Sequence, residues 1–220
     1  MSTFKTTTTT TTTSTTAIPK SPSKVSKFLL DPWSTAKVVV PSAAIQLILH
    51  KTVISKTTLR ELTLGLTLLN AIWFATTLNL SYLETPLLAN VPSLDEWQKL
   101  DVGRHRFSWI NKIEAAVSLI SLDMFLNWNG RIIKHNGFVD NALKAAVIAP
   151  VAITVIQSVY FLPRLNKRAA QVSRAEVTTK ELWDRDPFFL KGHRGYIALD
   201  TIKVSALAVA GLRFGLMLKN

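Results

Sequence analysis

Six ionisable residues interrupt otherwise apolar stretches of this 220-residue chain: Lys112, Glu114, Asp123, Asp200, Lys203 and Arg213. A carboxylate or ammonium in hydrocarbon costs several kcal/mol unless it pairs, hydrates or reaches the interface, so such residues mark ion pathways, proton relays or buried pairs. Asp200 and Lys203 are one helical turn apart and can neutralise each other. Asp123 lies nine positions after Glu114, and at 100° per residue the two carboxylates fall on opposite faces of a helix. They cannot form one acid/base pair. The chemistry this leaves is a Glu114–Lys203–Asp200 cluster, which needs the helices carrying those residues to be neighbours at a shared depth. A second reading puts all three within two turns of a helix end, snorkelling to water, and their apparent positions favour it.

Other site chemistries lack their residues. There is no cysteine, which excludes disulfides, thiolate metal sites and cysteine nucleophiles. His50, His105, His135 and His193 fall in loops or flanks, and no two are spaced i, i+4 for metal or haem ligation. No GxSxG, HExxH, Walker or dinucleotide pattern occurs. The chain therefore reads as non-enzymatic, with no cofactor and no metal. Its net charge of +12 sits mostly in the tail and in loops beside apolar runs, where it would meet lipid phosphates. No recognition helix or aromatic platform accompanies it, so nucleic acid is not an expected partner.

Those residues need elements to carry them, and the apolar runs supply these. Leu62–Leu83 is uncharged over 22 residues, about 33 Å of helix and enough to cross a bilayer. Three further spans are expected at about 107–128, 145–162 and 195–218. The second carries Lys112 and Glu114 in its first turns, and the third carries Pro150, which should bend it. Ser93 and Glu96 have capping-box spacing, so a helix should start near Leu94, run along the interface and then turn into the second span. Ala145, Ala149 and Ala152 on the third span, with Ala206, Ala210 and Gly211 on the fourth, permit close helix packing in lipid. The fold class expected is all-α: a four-helix transmembrane bundle over residues 56–220, behind a disordered N-terminal tail.

Residues 1–27 form that tail, rich in Thr, Ser and Lys and unable to bury a core. Hydroxyl-rich, acid-poor composition also suits a mitochondrial or plastid presequence, although no arginine precedes Arg60. Residues 28–55 form a pre-bundle segment. Its apolar part, Val38–Leu49, has twelve residues, too few to cross the roughly 30 Å of hydrocarbon, so an interfacial placement is expected. Lysine and arginine divide evenly between the two sides, eleven each, so the positive-inside rule sets no orientation.

Two segments, SYLETPLLANV and LDVGRHRFSWINKIEAAVSL, resemble a family of uncharacterised four-helix membrane proteins from bacteria and eukaryotes. That family is distantly similar to vertebrate transmembrane protein 205. RGYIALDTIKVSALAVAG resembles the family's closing segment. The resemblance runs from about Leu59 to the end and implies a four-helix fold in a membrane. Pro86, Asp101, Gly103, Arg104, Glu114 and Lys203 stand at its motif positions, and Asp200 stands where the family carries Glu. It implies no activity. The expected partners are the lipid bilayer and either further copies of the chain or other members of a membrane complex. The leading functional expectation is a non-enzymatic structural or assembly component of a membrane. The alternative is a small oligomeric transporter or permeation protein with a Glu114/Lys203 polar path, and an enzyme acting on lipid-soluble substrates ranks last.

Overall fold

A computed structural model describes residues 23–173 and 176–219; the threonine-rich tail up to residue 22, with its targeting reading, lies outside them. The described residues form seven helices and no strands. Helix α1 is Lys24–Leu30, so the last residues assigned to the tail are helical, capped by the Ser23 hydroxyl accepting from the Ser26 N–H at 3.1 Å. Helix α2 is Ser34–Ile54 and α3 is Leu59–Ala89. Helix α4 is Glu96–Lys134 and α5 is Asn141–Val172. A short α6, Thr179–Arg185, leads into α7, Pro187–Met217.

Capping chemistry sets most of the starts. Thr58 and Glu61 form a reciprocal box at α3, with the Thr58 N–H donating to Glu61 Oε2 at 2.7 Å and the Glu61 N–H donating back to Thr58 Oγ1 at 3.3 Å. Asp140 caps α5 by accepting from the Leu143 N–H at 3.0 Å. Asp186 caps α7 by accepting from Phe188 and Phe189, with Pro187 at the first helical position, where a missing N–H costs nothing.

Four helices are long and apolar enough to cross a membrane: α2, α3, α5 and α7. Two expectations change here. The helix carrying Val38–Leu49 is longer than that apolar run, because it continues through Pro41 and past both flanking lysines to 21 residues, a length that could cross a membrane. Charge at a helix flank limits the apolar run without ending the helix, and Lys37 turns back to Asp31 at 2.5 Å. The polar link and the second span are likewise one unbroken 39-residue helix, α4, with no turn between them. Its cap is Asp95, whose N–H donates to Gln98 Oε1 at 2.9 Å, rather than Ser93. At 1.5 Å per residue α4 is about 58 Å long, roughly twice the hydrocarbon thickness. Its composition keeps it out of the apolar set because its buried face is polar, including Ser108, Asn111, Lys112, Glu114, Ser118 and Ser121.

Helices α3, α4, α5 and α7 close a ring in which each packs on two others, and α2 packs on the outer side of α4. Neighbours in the ring run antiparallel. Leu62 and Leu66 early in α3 and Leu143 and Val147 early in α5 meet Phe125 and Trp128 late in α4 and Phe214 late in α7. Trp128 and Phe214 meet edge to face at 5.2 Å. At the other end Leu165 and Ala169 of α5 pack with Leu182 of α6 and Phe189 of α7. Between these two apolar layers lies a polar one. Helix α1 is held on α4 by buried Lys112, whose Nζ donates to the Leu29 and Ser108 carbonyls at 2.9 and 3.1 Å.

Three of the long helices contain a turn of i→i+5 bonding: His50–Ile54 in α2, Asn79–Glu84 in α3 and Gln157–Phe161 in α5. Such turns shift the register of the bond ladder, and both later ones precede a proline, Pro86 and Pro163, which has no N–H to continue it. Helix α5 therefore does not stop at Pro163, where the third span was expected to close.

Candidate functional site: a carboxylate–lysine cluster beneath an end cavity

The longer helices change the depth of every charged residue. With α4 starting at Glu96, Glu114 is eighteen residues inside it, and with α7 starting at Pro187, Lys203 is sixteen residues inside. Lys203 lies nine residues after Arg194 and ten before Arg213, about 14 and 15 Å along the axis, midway along the apolar stretch of α7. The snorkelling expectation placed these groups at helix ends, and the ends lie elsewhere. Relative exposures of 2% for Glu114, 2% for Asp200 and 0% for Lys203 leave none of them a route to water.

The three side chains meet at the centre of the bundle. Lys203 Nζ donates to Glu114 Oε2 at 2.8 Å and Oε1 at 3.0 Å, and lies 3.1 Å from Asp200 Oδ1. Helices α4 and α7 stand at opposite corners of the ring rather than side by side, so the pair spans the diagonal. The other two helices supply the remaining donors. From α3, Trp73 Nε1 donates to Glu114 Oε1 at 3.1 Å, and the Thr77 hydroxyl donates to the same oxygen at 2.8 Å. The Ser81 hydroxyl donates to Asp200 Oδ2 at 2.6 Å, and Gln157 Nε2 of α5 donates to Asp200 Oδ1 at 2.8 Å. Ser81 and Gln157 both sit in the i→i+5 turns, which aim them inward.

Sequence reasoning missed these donors. Trp73, Thr77 and Ser81 repeat at i, i+4 and i+8 along one face of α3, and Gln157 is the one amide in the expected 145–162 span; that spacing was the available signal. Asp123 turns the other way, as its nine-residue offset requires. It accepts from Gln46 Nε2 at 2.6 Å and lies 2.8 Å from His50 Nδ1, tying α2 to α4.

The cluster sets two carboxyl groups against one lysine, which reaches both. The crevice beside it, between Thr77, Ile110, Tyr196 and the two carboxylates, is too narrow for a water. Above that crevice, towards the α6 end, lies a cavity of about 330 Å³. Phe107 and Tyr196 line both spaces, their rings packed edge to face at 5.4 Å. This aromatic pair is the partition between the cavity and the charges.

Two of the four remaining motif positions lie at the cavity rather than at the cluster. Gly103 and Arg104 line it, and Asp101 holds Arg104 Nε at 3.0 Å. Pro86 is exposed in the last turns of α3. Among the described residues no three metal-ligating side chains converge. Comparisons of the chain with family models, curated proteins and solved structures give no match, and the resemblance to the four-helix family rests on its three segments.

Proposed function

We propose that this protein is a non-enzymatic multi-pass membrane carrier in which the Glu114–Asp200–Lys203 cluster handles a proton. The observation that supports it is two carboxyl groups set against one lysine in a buried site whose crevice admits no water. A proton is the one cation small enough to enter it. Burying ions is also a poor way to gain stability, since well-packed apolar residues serve as well or better, and this favours a working role for the cluster. The cavity is then the mouth, and the Phe107–Tyr196 pair the barrier between mouth and charge. The carrier reading is tested in liposomes holding an entrapped pH dye under a potassium diffusion potential. Wild type should equilibrate pH faster than empty vesicles, and Glu114→Gln should fall back to the empty-vesicle rate. Wild type no faster than empty vesicles sinks the reading.

A second reading, a structural or assembly component of a membrane complex, draws support from the saturation of the cluster, whose carboxylate oxygens all have donors. A site so satisfied can serve as a lock between four helices. Purification in mild detergent separates the two: stoichiometric partners favour assembly, and a lone chain counts against it. In either reading we assign mitochondrial or plastid targeting to the threonine-rich tail.

A further inference from the structure

The cavity at the α6 end contains a glycine whose presence packing does not explain. Gly103 lies inside α4, where glycine costs about 0.5–1 kcal/mol relative to alanine. No described glycine has a positive φ. A Cβ at Gly103 would meet nothing within 4 Å, whereas at Gly65 it would fall 2.5 Å from Met124 Cε. No neighbour demands the glycine. What its missing side chain preserves is open space, and that space is the cavity.

The walls describe what the space would hold. Leu100, Phe107, Leu162, Leu165 and Phe189 make most of it apolar. Lys99 and Arg104 line it with their side chains turned in, 18% and 14% exposed, beside the more exposed carboxylates Glu96 and Asp101 at 72% and 35%. Each cation keeps a carboxylate partner, Glu96 at 3.0 Å from Lys99 and Asp101 at 3.0 Å from Arg104, so the cavity presents two paired cations among apolar walls. A volume of about 330 Å³ is at the small end of ligand sites, suited to one chain rather than a two-chain lipid.

We propose that this cavity binds a long-chain carboxylate, its acyl chain against the apolar walls and its head at Lys99 and Arg104. Two inward-turned cations side by side suit one carboxylate head, and the apolar walls suit one acyl chain. The inference extends the carrier reading by naming what occupies the mouth. Its test measures binding without flux, so a failure of either is seen separately.

The probe is a fatty acid brominated at mid-chain, added to the full chain in nanodiscs, with quenching of tryptophan emission as the readout. Trp183 lines the cavity and meets Phe189 edge to face at 4.8 Å, so Trp183→Phe should remove the saturable part of the quenching. Gly103→Leu, which fills open space without a backbone clash, should abolish it. Arg104→Gln should weaken it about tenfold, the equivalent of about 1.4 kcal/mol. A brominated amine of equal length should bind at least about tenfold more weakly on the same scale. Unlabelled fatty acid should reverse the wild-type quenching, which needs no variant to fold. Quenching that rises without saturation, or is equal for amine and carboxylate, overturns the proposal. So does quenching of Trp183 by brominated two-chain phospholipid in the disc, which would make bilayer lipid the occupant.

Discussion

Lys203 of α7 donates to both carboxylate oxygens of Glu114 of α4, at 2.8 and 3.0 Å, across the diagonal of a four-helix ring. Eighty-nine residues separate them in the chain. With both side chains at or below 2% exposure, the pair has almost no solvent screening, and its energetics follow from what is left when one member goes.

Lys203→Met should therefore be the most damaging single change in the bundle. It strands two carboxylates beside each other, and breaking a buried pair costs about 3–5 kcal/mol. Asp200→Asn should cost much less, about 1–2 kcal/mol, because a one-to-one Glu114–Lys203 pair remains and the amide can still meet Ser81 and Gln157. Denaturant unfolding in a fixed detergent ranks them. Equal losses for the two variants would mean that net charge in the cluster carries no energetic weight.

The Phe107–Tyr196 partition makes a separate prediction. Phe107→Ala removes one of the two rings between the cavity and the charges. Labelling of Glu114 by a hydrophobic carbodiimide, followed by mass spectrometry, should then speed up at least about tenfold, as expected when opening costs about 1.4 kcal/mol less. Gly103→Leu in the same background should slow it again by filling the cavity. An unchanged labelling rate in Phe107→Ala would place the access route elsewhere.

Outside the membrane-spanning segments, Asp140 sets an acid-side pH dependence. Its carboxyl is held below the ordinary 3.8, chiefly by the hydrogen bond from Arg213 and then by the Leu143 N–H. The guanidinium lies 2.7 Å away. A group with a depressed folded-state value adds stability that is present above its unfolded value and disappears as pH falls through the folded one. Wild type should thus exceed Asp140→Asn in Tm near neutral pH, and the gap should narrow below about pH 4. A gap constant from pH 6 to 3 would show that the Arg213 contact contributes nothing in the folded state.

Much of the helix inventory was legible before any packing was known. Leu62–Leu83 announces itself because hydropathy over about twenty residues is a local property, and the Asp200–Lys203 turn is readable because i, i+3 neighbours on a helix must face alike. The opposed faces of Glu114 and Asp123 follow from the same geometry, and the two residues bond to different helices. Helix lengths were less legible. The first turns of α4 are as polar as a loop, and α7 starts eight residues before its expected span because Asp186 and Pro187 cap it there.

The sequence by itself determined that the described residues are helical, that three of the expected spans lie in helices able to cross a membrane, and which charges would be expensive there. Helix formation and apolar run length depend on residues close in sequence, so the chain displays them directly. Only the tertiary structure decided that Glu114, Asp200 and Lys203 share one dry centre, that Trp73, Thr77, Ser81 and Gln157 saturate it, and that Gly103 opens a cavity above it. Those relations join residues tens of positions apart. They depend on how four helix faces are rotated against one another, and that rotation is set by packing across the whole ring rather than by any one helix.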